Sequence, residues 1–193
     1  MIDVDASRRA QVRPYFDDLL APYRTYCRFV SKRSMAISIE TAAFVAWLCA
    51  TTQPAKAADL GSGFTSFVLR HCGVRTVASV DDSATWLGRT RAFCDSQQVD
   101  ATTGFHGPEW QHSDERYNLI VHDYSGGATR EAWMTVAVEH LTDDGVIVFD
   151  DAQNVSHRNE MVRVCEEHDL ILYDIRDITL DEVGRYAALG VRR

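Results

Sequence analysis

Paired cysteines are missing from this 193-residue sequence. The five present, Cys27, Cys49, Cys72, Cys94 and Cys165, are odd in number, widely scattered and never spaced C-x-x-C. That excludes a disulfide framework and a zinc knuckle and leaves free thiols of a reducing compartment. No apolar run approaches the roughly 20 residues needed to cross a bilayer, and the opening MIDVDASRRAQ has acids and no apolar signal core. A cytoplasmic protein without membrane contact is expected. An excess of positive charge is also lacking: the formal net charge is −8, which argues against a surface that coats nucleic acid or anionic membrane. Repeats, low-complexity runs and long linkers are absent, so one compact domain is expected at this length.

The charge is nevertheless uneven. Residues 6–36 hold seven basic side chains against Asp17 and Asp18, a local +5, interleaved with Tyr15, Phe16, Tyr23, Tyr26 and Phe29. Pro14 and Pro22 predict that this stretch is broken into helices, because proline is tolerated at a helix start and disrupts an interior. Residues 1–37 are therefore read as an N-terminal helical cover, and 38–193 as the main domain. Ser38 is placed as the N-cap of a largely buried helix, IETAAFVAWLCA.

From there strand-like and helix-like runs alternate: AKAADL, TSFVLRHC, TVASVD, ATWLGRTRAFC, YNLIVHD, TREAWMTVAVEHL, GVIVFDD and RNEMVRVCEEH. Such alternation implies βαβ units, a parallel sheet and right-handed crossovers. The last two runs, DLILYDIRDI and EVGRYAALGVRR, are strand-like, and their link reads as too short for a helix. They predict an antiparallel pair at one side of the sheet. The fold class is α/β: a doubly wound, mostly parallel seven-stranded sheet ending in an antiparallel hairpin.

The sharpest local signal is Asp59-Leu60-Gly61-Ser62-Gly63, which closes a strand and opens a helix. Glycine permits unusual backbone conformations and close approach of a ligand, and a helix start offers free N–H groups. Asp81 ends the next strand, about 20 residues on, where a carboxylate can accept from both hydroxyls of a ribose. Its plain alternative is a helix cap shared with Asp82 and Ser83. Chain topology also sends Asp123, Asp150 and Asp151 to the carboxyl ends of neighbouring strands. Three carboxylates converging there repel one another unless protonated or bridged by a cation, and hard oxygen ligands suit Mg²⁺, Ca²⁺ or Mn²⁺.

Together, A-D-L-G-S-G-F-T-S, S-V-D-D, L-I-V-H-D and G-V-I-V-F-D-D resemble the Rossmann-like S-adenosylmethionine-dependent methyltransferases, over roughly residues 38–193. The likeness is to the catechol, caffeoyl-CoA and macrolide-sugar O-methyltransferases. It implies that Asp59, Gly61, Ser62 and Gly63 hold the methionine part of the cofactor and Asp81 its ribose. It also implies that Gly107 and Pro108, in a stretch like the family's G-P-A, line the adenine. Trp110 reads equally as an aromatic anchoring that loop. Asp123, Asp150 and Asp151 match the family's metal acids, where a divalent cation holds and activates a substrate hydroxyl. This sequence departs in having Asp151 for asparagine and in lacking a lysine or histidine base just after Asp123.

His157, His106 and Tyr124 are the candidate bases, with His157 and Asp123 taken as catalytic and His122, on the opposite strand face, as structural. The expected activity is methyl transfer to an oxygen of a small-molecule acceptor. A nucleic-acid methyltransferase, suggested by the basic stretch, and a non-catalytic cofactor-binding module are the alternatives. The basic stretch has a third reading, as the contact of a homodimer.

Overall fold

The computed structural model describes residues 8–193, so residues 1–7 of the expected cover lie outside the described residues. Where two proline breaks were expected there is one helix, α1, Arg8–Phe29, with Pro14 and Pro22 inside it. Its buried stripe, Val12, Leu19, Tyr23 and Tyr26, runs on one face through both prolines. Packing of that face holds the helix through, and Pro14 is exposed, so water can reach the carbonyl its missing N–H leaves free. Ser38 caps α2, Ile39–Thr52, as expected, its hydroxyl accepting from Thr41 N at 3.0 Å.

The alternation then runs β1 Lys56–Leu60, α3 Phe64–His71, β2 Thr76–Val80, α4 Ala84–Ser96, β3 Phe105–His106, β4 Tyr117–His122, α5 Gly127–Glu139, β5 Leu141–Phe149 and α6 Val155–Glu167. It ends with β6 Leu170–Asp174, α7 Arg176–Thr179 and β7 Ala188–Arg192. The sheet has seven strands in the order β3-β2-β1-β4-β5-β7-β6, with β7 antiparallel to both neighbours. The antiparallel pair is as expected, but its link carries a one-turn helix, α7, held by the Thr179 hydroxyl, which bonds Ile175 O at 3.0 Å and accepts from Ala187 N. Between ATWLGRTRAFC and YNLIVHD, where the sequence runs show no separate strand, the structure adds a two-residue one, Phe105–His106.

Strand alternation sorts the core to the two sheet faces. Ala57, Leu119, Val121, Val146 and Val148 pack with α1, α2 and α3. Ala58, Leu60, Ile120, Ile147 and Phe149 pack with α5 and α6. Chain direction along the sheet reverses between β1 and β4, which makes their carboxyl ends the switch point where doubly wound sheets bind ligands. Among the described residues no helix is long and apolar enough to cross a membrane.

Candidate functional site

At that switch point Gly61 has φ +95°, and a Cβ there would lie 2.3 Å from the Asp123 carbonyl oxygen. The β1–α3 turn therefore lies directly on the end of β4, and on its other side Gly61 N and Ser62 N tie it to the end of β2, donating to Val80 O at 2.9 and 3.1 Å. Asp59 sits beneath it, fully buried, accepting from Gly63 N at 3.2 Å and from the Ser66 hydroxyl at 2.6 Å. Burial pushes its carboxyl up to about 7 against those two donors.

A cavity of about 580 Å³ opens above the turn, a size that suits a small ligand. One wall is Gly61, Ser62, Gly63 and Asp81, together with Trp86 from the first turn of α4. Ser83 caps α4, accepting from Trp86 N at 3.2 Å, which leaves Asp81 on the cavity even though its Oδ1 also accepts from Ser83 N at 2.8 Å. Burial pushes Asp81 up to about 6. The roof is Tyr26, from α1, and Ser34–Ile37, so residues of the expected cover do line the cavity. This roof is pinned to the β6–β7 connection. Arg185, itself paired with Asp181, donates to Ala36 O at 2.9 Å, and Arg33 pairs with Glu182 at 2.6 Å.

The opposite wall brings together Asp123, Asp150, Asp151 and His157, with ligand-type oxygens of the three acids within 4.8 Å of one another. Sequence reasoning anticipated this convergence and missed what stands in it. Arg130, from the first turn of α5, pairs with Asp123 Oδ1 and, at 2.7 Å, with Asp151 Oδ2. It also donates to Ser125 O at 3.1 Å and Asp123 O at 3.2 Å. Burial pushes Asp123 up to about 7 against the pull of Arg130, and burial together with Asp123 and Asp151 holds Asp150 well above the carboxylate range. Asp150 has no ion pair of its own among the described residues, and Asp151 has φ +59°, a left-handed conformation that aspartate tolerates better than most.

For a divalent ion, this donor set is short. Two of the three acids are spent on a guanidinium whose own charge is buried among them. At an effective dielectric of 20, a dication about 4 Å from it would be repelled by about 8 kcal/mol. The residues as arranged therefore do not fit the expected divalent ion, because the bridging cation the acids require is already a side chain.

His157 is held by the N-cap of α6, where Asn154 Oδ1 accepts from Ser156 N at 3.0 Å and His157 N at 3.4 Å. Neither Asp150 nor Asp151 is that cap. Burial and then Arg130 lower the imidazole, which keeps it neutral, and its Nδ1 is buried with no hydrogen-bond partner. The other base candidates fall away. Tyr124 is buried, stacked 4.0 Å from Trp133 and pushed up to about 12, and His106 is not on the cavity wall. His122 is buried, with its pKa driven down to about 3 by burial and then Arg130, and it is not on the cavity wall.

Gly107 and Pro108 do not line the cavity. They follow His106, which pairs with Val80, and so sit beside Asp81 at the carboxyl edge. Trp110 is the loop anchor: its Nε1 donates to the Tyr117 hydroxyl at 3.0 Å and its ring stacks on His140.

No family model matches this sequence, and no curated protein matches it. Among solved structures, the chain is similar to a methyltransferase of Podospora anserina bound to SAH, with 10% identity, 100% of this chain and 97% of that one covered, and a TM-score of 0.68. It is also similar to an O-methyltransferase of tomaymycin synthesis from Streptomyces achromogenes, in complex with SAM. There the identity is 13%, the coverage 100% and 91%, and the TM-score 0.64. At these identities the likeness establishes the fold alone, one that the chain shares with these two methyltransferases.

Proposed function

We propose that the chain transfers a methyl group from S-adenosylmethionine to an oxygen of a small-molecule acceptor. The observation that carries this reading is a single cavity at the sheet's switch point, with a glycine turn and a ribose-type carboxylate on one wall and a neutral histidine beside buried acids on the other. The cofactor, when bound, supplies a methyl group on a sulfonium for in-line transfer, its carbon–sulfur bond breaking as the carbon–oxygen bond forms. Asp81 accepts from the ribose hydroxyls, and the bare backbone at Gly61 and Gly63 makes room for the methionine part. His157 takes the acceptor's proton, and the Tyr26 and Ser34–Ile37 roof keeps water from the reacting atoms.

Oxygen is favoured as the acceptor atom because a hydroxyl needs a base where the incoming oxygen lies, and a neutral, unpartnered imidazole provides one. A polyanion is disfavoured. The cavity wall sets four aspartates, Asp81, Asp123, Asp150 and Asp151, against two arginines. The basic stretch of residues 6–36 is partly spent within the protein, Arg9 on Asp177, Arg13 on Asp17 and Arg33 on Glu182.

Calorimetry with S-adenosylmethionine and its demethylated product tests the cofactor, and a screen of hydroxylated acceptors with labelled methyl tests the transfer. Asp81→Ala is expected to weaken cofactor binding by about 1.5–3 kcal/mol, the loss of hydrogen bonds to a charged acceptor, without unfolding the protein. The ionised carboxylate is the accepting form. Affinity should therefore be full above the Asp81 pKa of about 6 and fall as the pH drops through it. The fall approaches about tenfold per unit. Asp81→Asn should flatten that profile. An absence of binding by either compound in the wild type would dispose of the whole reading.

A further inference from the structure

We infer that Arg130 is this chain's built-in replacement for a divalent cation, so that the site works on a fixed organic charge and excludes metal. The inference rests on the acceptor site proposed above, although its main test does not depend on methyl transfer. Three acids gathered at the ends of β4 and β5 need positive charge among them. Arg130 supplies it with a planar fork that spans two strands' ends at once, reaching Asp123 on one side and Asp151 on the other. Its Nε and remaining donor bonds fix the loop between β4 and α5 at Ser125 and Asp123.

This arrangement is built in rather than incidental. The Arg130 side chain is only 7% exposed, and it leaves the first turn of α5, the positively polarised end of a helix, which adds to the charge already there. A metal ion would have to share Asp123 and Asp151 with the guanidinium already paired to them, placing two positive charges side by side in one buried cluster. Arg130 also reaches the cavity wall beside His157 and Asp150, so its charge faces the place where an acceptor oxygen would lose its proton. The cation that holds these acids lies seven residues after Asp123, one helical turn into α5, and reaches back.

Manganese titration followed by electron paramagnetic resonance tests this on the purified full chain. The wild type should leave Mn²⁺ free up to about 1 mM, whereas Arg130→Met, which keeps three acids and removes their cation, should bind one Mn²⁺ at least about 30-fold more tightly. Adding Asp150→Asn to that variant should abolish the gain. Arg130→Lys, which keeps a positive charge, serves if the methionine variant does not fold, and should leave Mn²⁺ free like the wild type. Stoichiometric binding by the wild type that Asp150→Asn removes overturns the inference, as does tight Mn²⁺ binding by Arg130→Lys. Loss of activity on chelation of the wild type overturns it too. A chain that binds no S-adenosylmethionine would defeat the functional reading and leave the manganese result standing.

Discussion

Gly61→Ala is expected to lower the stability of the chain by about 3–5 kcal/mol, combining backbone strain at a positive φ with a clash that cannot be relieved by a rotamer change. The added Cβ would meet the Asp123 carbonyl oxygen at 2.3 Å, its carbon at 2.6 Å and Tyr124 N at 3.0 Å. All three are backbone atoms. To escape them the turn must lift off β4, stretching the bonds from Gly61 N and Ser62 N to Val80 O and from Asp123 N to Leu60 O. For a domain of this size the melting temperature should fall by roughly 8–15 °C. Gly88→Ala is the matched control. It lies inside α4 with open space around its Cβ, so it should gain up to about 1 kcal/mol from helix propensity. Scanning calorimetry of the two variants decides the matter: a Gly61→Ala protein melting within about 2 °C of wild type is incompatible with the close approach described.

His157→Ala is expected to reduce kcat by about 10²–10⁴-fold while leaving cofactor affinity unchanged, the signature of a lost general base rather than a lost binding contact. Burial and Arg130 lower the imidazole below its ordinary value, so the base is already neutral at pH 7. The wild-type rate should accordingly be flat above pH 6.5 and fall on acidification below it, and the variant should lack that limb. Stopped-assay kinetics across pH with an acceptor from the screen would measure both. Retention of more than a tenth of kcat, or an unchanged acid limb, would pass the role of base to Asp150, the remaining titratable group on that wall without an ion pair.

What the sequence made legible was local. The Asp59–Gly63 turn, Asp81 and the Ser38 cap are signalled by residues adjacent in the chain, and the meeting of Asp123 with Asp150 and Asp151 follows from their places at strand ends. The side chains that complete the site come from elsewhere. Arg130 sits in a helical run where arginine ordinarily faces water, and only the path of its side chain back over the start of α5 makes it a partner of Asp123. Trp86 carried a usable signal, lying five residues beyond Asp81 in the first turn of the next helix. Tyr26 and Arg185 depend on how α1 and the β6–β7 connection fold over the sheet, which periodicity does not encode. The proline rule failed in α1 because tertiary packing of Val12, Leu19, Tyr23 and Tyr26 outweighs two missing backbone bonds. The separate third strand was unreadable because two residues carry no alternation to detect.

The placing of β7 between β5 and β6 also governs the order in which the chain can be assembled as it leaves the ribosome. β6 is synthesised before β7 but touches the sheet only through it, and β5 waits for the same strand to cover its outer side. Until residues 188–192 emerge, β6 has no strand partner and the outer edge of β5 is open along Val146–Phe149, which belongs to the buried centre of the finished sheet. Such edges pair readily with neighbouring chains. The interval between the emergence of β5 and that of β7 is thus the one in which the Val146–Phe149 edge is open to pairing with another chain.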